Sequence, residues 1–211
     1  MADSTTTFDQ IVAAIAALSA ATPVVLIAID GCGGAGKSTL AGHLITTLSA
    51  LGTAAQGVHF DDFYHPSSHR QAGALAKPPG TGSEIGADFD WQRLRNSVLM
   101  PLHQGREAVY QKYDWATDTV RGDPFHITPV GVVCVEGVYS GRPELTRFYD
   151  LLIWVTCPRA VRLRRGLERD GEDARTLWEG EWMPQEDRYV QNHRPHERAD
   201  WVIDGDDGCH R

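Results

Sequence analysis

The stretch "AIDGCGGAGKSTLAGHL", Ala28–Leu44, places four glycines between positions 31 and 36 and follows them at once with Lys37, Ser38 and Thr39. It leaves the apolar run Val24–Asp30 and enters a segment whose Leu40, Leu44, Ile45 and Leu48 share one helical face. A turn from strand to helix needs one or two glycines and has no use for Lys-Ser at this offset. Glycines let successive backbone N–H groups turn toward a phosphate without a Cβ in the way. The helix opening near Gly36 aims its positive end at the same anion. In this context G-x-x-x-x-G-K-[ST] reads as a phosphate-binding loop. Gly31, Cys32, Gly33, Gly34, Ala35 and Gly36 form the cradle. Lys37 reaches the β/γ-phosphates, Ser38 holds Mg²⁺ and Thr39 brings a hydroxyl to the α-phosphate. The implied cofactors are ATP and Mg²⁺.

Outward from this loop, elements alternate. Phe8, Ile11, Val12, Ile15 and Leu18 recur at helical spacing, predicting an amphipathic helix packed on the body. Gly57–Tyr64, Gly131–Val138, Leu151–Pro158 and Ala199–Asp204 read as further strands. Asp88–Leu102, Arg159–Arg169 and Thr176–Val190 read as helices, the first stopped near Pro101. Strands alternating with helices predict a three-layer α/β fold on a mostly parallel sheet, and no linker divides residues 1–211 into more than one domain. Residues 66–87, rich in Gly, Pro, Ser and Ala, read as a mobile loop. Lys77 lies within it, facing either phosphate or solvent.

Totals exclude several classes. A formal charge of −8 over 211 residues argues against tracking nucleic acid, which demands a basic stripe. No apolar run approaches the roughly 20 residues of a membrane span, and no signal peptide opens the chain. The four cysteines, Cys32, Cys134, Cys157 and Cys209, form no Cys-x-x-Cys and suit reduced thiols in a cytoplasm. Self-association is left open.

Asp61 and Asp62 of "HFDDFY" fall at the carboxyl edge of the sheet beside the phosphate loop, where open α/β sheets bind ligands. A carboxylate there accepts a hydroxyl's proton or holds the hydroxyl in line; a surface or Mg²⁺-associated acid is the other reading. Glu136, ending "VVCVE", sits near the metal or simply ends a strand. Arg162, Arg165 and Arg169 share a helix face at i, i+3 and i+7. They form either an anion-facing lid or a solvated face paired with Glu168, Asp170 and Glu172. "EGEWMPQEDRYV" suits an amphipathic helix without an evident task.

Taken in order, "DGCGGAGKST", "DDFY", "FDW", "YDW", "VEGVY", "RLRRGLERD" and "ADWVIDG" resemble the uridine kinase/phosphoribulokinase group of P-loop kinases, from about Val24 to Gly205. The resemblance implies a nucleoside-monophosphate-kinase-like fold that transfers the ATP γ-phosphate to a small-molecule hydroxyl, with an arginine-rich lid over residues 159–175. It favours Asp61 over Asp62 as the catalytic aspartate, and Lys37, Arg165 and Arg169 as its companions. Arg162 falls to the nucleotide, and Tyr64, Asp90, Tyr113 and Trp115 to the acceptor. Departures are local. The ribose element runs Asp90-Trp91-Gln92 instead of Asp-His-Pro, Trp115 replaces a phenylalanine, and Asp118 stands where uridine kinases carry a base-reading histidine. An ionised carboxylate only accepts hydrogen bonds, so the acceptor need not be uridine. A regulatory nucleotide-binding protein without transferase activity is the other reading.

Overall fold

The computed structural model describes residues 8–75 and 84–206. Lys77, Cys209 and part of the 66–87 segment lie outside them. Five strands build the central sheet: β1 Val24–Gly31, β2 Ala55–His59, β7 Gly131–Glu136, β8 Leu151–Thr156 and β9 Trp201–Asp204. Their order is β2-β7-β1-β8-β9, every pair parallel. β1 is central, with Ile29 in register with Glu136 of β7 and Ile153 of β8. The all-apolar strands follow from helices covering both faces.

One outer layer is α1 (Phe8–Ala21) and α2 (Lys37–Ala50). Ile11, Val12, Ile15, Leu40, Leu44 and Leu48 pack there on Val25, Ile27 and Ile29 of β1. Ile27 and Ile29 are fully buried, each stabilising by about 1.5–3 kcal/mol relative to exposure. Leu26 points the other way, as the two-residue period of a strand requires, into a core with Phe60, Leu94, Val98, Trp154 and Tyr189. That second layer comprises α4 and α6. α4 covers residues 91–103 as Trp91–Leu94, a π turn Arg95–Leu99 and Met100–His103; α6 covers 175–193 as Arg175–Leu177, a π turn Trp178–Trp182 and Met183–His193. In both, the π turn ends two residues before a proline, Pro101 or Pro184. The widened turn accommodates a ring that clashes with a regular helix, so Pro101 does not stop the helix. α5 (Arg159–Asp170) and α7 (Pro195–Arg198) complete the helices around this edge.

Three elements depart from the sequence reading. β2 stops at His59, and Phe60–Phe63 makes a single 3-10 turn. A strand would send Phe60 and Phe63 to opposite faces, whereas a three-residue turn buries both and leaves Asp61 exposed and Asp62 half-buried. Within the segment read as a loop, Ser67–Leu75 forms α3. α4 begins at Trp91 because Asp90 caps it, accepting the Arg93 N–H at 2.9 Å. Two small antiparallel ladders stand on this side, β3 (Ala108–Tyr110) with β6 (Phe125–Ile127) and β4 (Tyr113–Asp114) with β5 (Thr119–Val120). No sequence signal had pointed to either.

Candidate active site

The loop Cys32–Gly36 leaves the central strand and turns into α2. Gly36 caps the helix at φ +103°, a left-handed conformation that a side chain would strain. Lys37 is buried, and its Nζ donates to the Cys32 carbonyl at 3.0 Å, curling back over the loop. Ser38 Oγ donates to Glu136 Oε2 at 3.1 Å across the β1–β7 junction. The other Glu136 oxygen lies 2.5 Å from His59 Nδ1. Burial would push the Glu136 carboxyl up, but the His59 hydrogen bond and the Lys37 charge together hold it below its ordinary value. A hydroxyl and an ionised carboxylate from facing elements are the hard oxygen donors Mg²⁺ prefers. Among the described residues, no cluster of three or more His, Cys, Asp or Glu offers a competing metal site.

Asp61 and Asp62 face different surroundings. Asp62 accepts from Tyr110 Oη at 3.1 Å and pairs with Lys112 Nζ at 3.3 Å, tying the 3-10 turn to β3 and the chain beyond it. Asp61 opens to solvent at the mouth of the site while protein surrounds it on most sides. That desolvation raises its carboxyl above the usual range, Lys37 and Arg169 draw it back, and Glu136 pushes it up again. Asp61 thus shares one electrostatic neighbourhood with the loop lysine, the Ser38–Glu136 pair and the last turn of α5.

The three arginines of α5 go separate ways. Arg162 is buried in an ion pair with Glu186 of α6, Nη1 to Oε2 at 2.8 Å. Arg165 donates to the Gly205 carbonyl at 3.0 Å and approaches that of Gly34 at 3.4 Å. Arg169 is the exposed one, held by Asp170 at 2.7 and 2.9 Å and acting on Asp61 through space. Trp178 Nε1 donates to the same Asp170 at 3.0 Å, fixing the end of α5 against α6.

Opposite the phosphate loop, backbone pairing gathers the remaining candidates. Asp90 N–H donates to Phe63 O at 2.7 Å, His65 N–H to Asp88 O at 2.8 Å, and Tyr64 bridges Phe89. Asp90 is therefore beside the Asp61 turn, with Arg93 Nε 3.6 Å and His65 Nδ1 3.9 Å from its carboxylate. The Tyr64 ring contacts Phe89, Tyr113 and Trp115 at centroid distances of 4.9, 5.5 and 4.8 Å, with the Arg70 guanidinium 4.8 Å above it. Trp115 is 62 % exposed, so the aromatic group presents an open face. Asp118 is engaged: its carboxylate accepts from Ser67 N–H at 2.8 Å, from Ser67 Oγ and from Tyr113 Oη at 2.6 Å. Those bonds, Ser67 foremost, hold its carboxyl at about 2. Asp118 thereby caps the start of α3 and anchors it on the β4–β5 ladder.

Four participants escaped sequence reading: His59, Arg70, Arg93 and Glu186. His59 enters the site through the register in which β2 pairs with β7, which sets it beside Glu136. That pairing is not written in either strand.

The model for the phosphoribulokinase/uridine kinase family matches residues 26–179. Among curated proteins, the chain is 26% identical over 186 residues to a uridine kinase of Mycoplasma pneumoniae, covering 85% of this chain and 84% of that one. It is 29% identical over 154 residues to a uridine kinase of Lactococcus lactis, covering 72% of each. Among solved structures, a possible uridine kinase from Bacillus stearothermophilus superposes with a TM-score of 0.70 at 24% identity, over 93% of this chain and 97% of that one. A D-glycerate 3-kinase from Cryptococcus neoformans superposes at 0.67 and 15% identity, over 94% and 96%. With the phosphate loop at the centre of a five-stranded parallel sheet, and a family model spanning most of its length, this chain belongs to the phosphoribulokinase/uridine kinase family of P-loop kinases.

Proposed function

We propose that this protein transfers the γ-phosphate of Mg·ATP to a hydroxyl of a small alcohol carrying a planar ring, a nucleoside being the acceptor that the names of its relatives point to. The carrying observation is the position of Asp61, a free-facing carboxylate in the electrostatic reach of Lys37, Glu136 and Arg169.

The loop amides and Lys37 hold the β/γ-phosphates. Ser38 and Glu136 hold Mg²⁺, which when bound neutralises charge on the phosphate tail. Asp61 orients the acceptor hydroxyl and takes its proton as the oxygen bonds to the γ-phosphorus. The bond from that phosphorus to the β–γ bridging oxygen breaks and ADP leaves. Arg169 offsets charge on the transferring group, and Arg165 steadies the loop from behind. Asp90 and the Tyr64, Tyr113 and Trp115 rings hold the acceptor, whose planar part stacks on the open aromatic face. Asp118 acts indirectly: its oxygens are taken up by Ser67 and Tyr113, so it builds the acceptor wall and does not read the acceptor itself.

The test is ADP release from Mg·ATP with and without a panel of nucleosides, sugars and hydroxy acids. Release stimulated by one acceptor class supports the kinase. Slow release indifferent to every acceptor supports a nucleotide-binding regulator without transferase activity.

A further inference from the structure

Residues 179–190, without an evident task in the sequence, lie on α6, which packs on the outer surface of the phosphate loop. Glu186 of this helix is 4% exposed. Its Oε1 accepts the Gly33 N–H at 2.8 Å and its Oε2 accepts Arg162 Nη1 at 2.8 Å. Lys37 lies within electrostatic range of the same carboxylate. The fit around this pair is close. A Cβ on Gly33 would stand 2.9 Å from Glu186 Oε1 and 3.0 Å from the Trp178 ring, and one on Gly34 would stand 2.5 Å from the Arg162 carbonyl oxygen. Two of the loop's glycines therefore answer to α5 and α6 as well as to phosphate.

We infer that Glu186 is a positioning residue of the nucleotide site, its buried carboxylate locking the phosphate loop to the first turn of α5 so that loop and arginine-bearing helix hold one geometry. The inference rests on reading Gly31–Ser38 as a nucleotide site. Both of its hydrogen bonds are charge-assisted, and the one from Arg162 is buried. Without the carboxylate, Gly33 N–H loses its acceptor and Arg162 becomes an uncompensated buried cation. A glutamine cannot replace it, because one end of the amide would turn a donor toward a donor.

The experiment measures Mg·ADP affinity by calorimetry on the full chain for wild type, Glu186→Gln, Arg162→Met and the double variant. Val98→Ala, a core position on α4 with no hydrogen bond to Glu186 or Arg162, reports on general destabilisation. Each single variant is expected to weaken Mg·ADP by about tenfold or more. The double variant should be about as weak as the worse single, since both break one linkage. Acceptor KM should stay within about twofold of wild type, and Val98→Ala should bind nucleotide normally despite a lower Tm. If Glu186→Gln fails to fold, Arg162→Met carries the same expectation. Normal binding by Glu186→Gln, additive losses, or equal weakening in Val98→Ala would overturn the inference while wild-type binding upholds the nucleotide reading. A wild type that does not bind Mg·ADP would overturn both.

Discussion

The phosphate side of this protein comes from eight consecutive residues, Gly31 to Ser38, supported by the ends of neighbouring strands. The proposed acceptor side is assembled from the 3-10 turn at Asp61, α3, the Phe89–Asp90 segment and the β4–β5 ladder. The first is a local backbone device, with buried partners and bonds between side chains and main-chain groups. The second is a side-chain device held by cross-chain contacts such as Ser67–Asp118, and it keeps exposed aromatic surface. A family can retain the first while remodelling the second, which is how one phosphate chemistry serves different alcohols. Trp115 and Asp118, two of the positions that the sequence reading sets apart from the uridine-kinase pattern, lie on or beside the β4–β5 ladder of the second.

This contrast can be broken at several points. Lys37→Met removes the buried cation of the phosphate side and should lower turnover by about 10³-fold; equal turnover would detach Lys37 from the chemistry. Asp61→Asn stands at the junction of the two sides. Turnover should fall by at least about 10²-fold while calorimetry still detects Mg·ADP. The same acid sets a pH limb. Its carboxyl is raised by burial and is needed ionised, so kcat/KM for the acceptor should fall as pH drops through that raised value. A pH profile of Asp61→Asn should lack the limb.

Changes confined to the acceptor side should be smaller and selective. Asp118→Asn weakens the cap of α3 and should raise acceptor KM roughly tenfold while leaving nucleotide KM unchanged. A matching rise in both would erase the division between the two sides. The smallest effect is on stability. The Asp118 carboxyl is lowered from 3.8 to about 2 in the folded protein. Its stabilising contribution is therefore complete above about pH 4 and lost as pH falls toward 2. Trp115 fluorescence should report loosening of this wall in that window, and Asp118→Asn should shift it away.

The same contrast explains what could be read from sequence. β1, the loop, α2, β7 and β8 were legible because their apolar runs and glycines are contiguous and each strand is buried on both faces. The 3-10 turn was not, because Phe60 and Phe63 mimic strand composition and only the core shows that both point inward. α3 was hidden because its cap is Asp118, 51 residues away. The i, i+3, i+7 spacing of the α5 arginines could be read, yet a periodic pattern does not say which member meets solvent and which meets Glu186. Glu186 itself was one acid among several in a helix, distinguished only by burial and by the N–H it accepts.

The central claim is that a phosphoryl group passes from a nucleotide held by the glycine loop to an alcohol presented at Asp61. Following the label from γ-³²P-ATP tests it most directly. The account predicts label on an organic acceptor with the wild type and its near-absence with Asp61→Asn. Label appearing solely as inorganic phosphate, whatever alcohol is supplied, would contradict it.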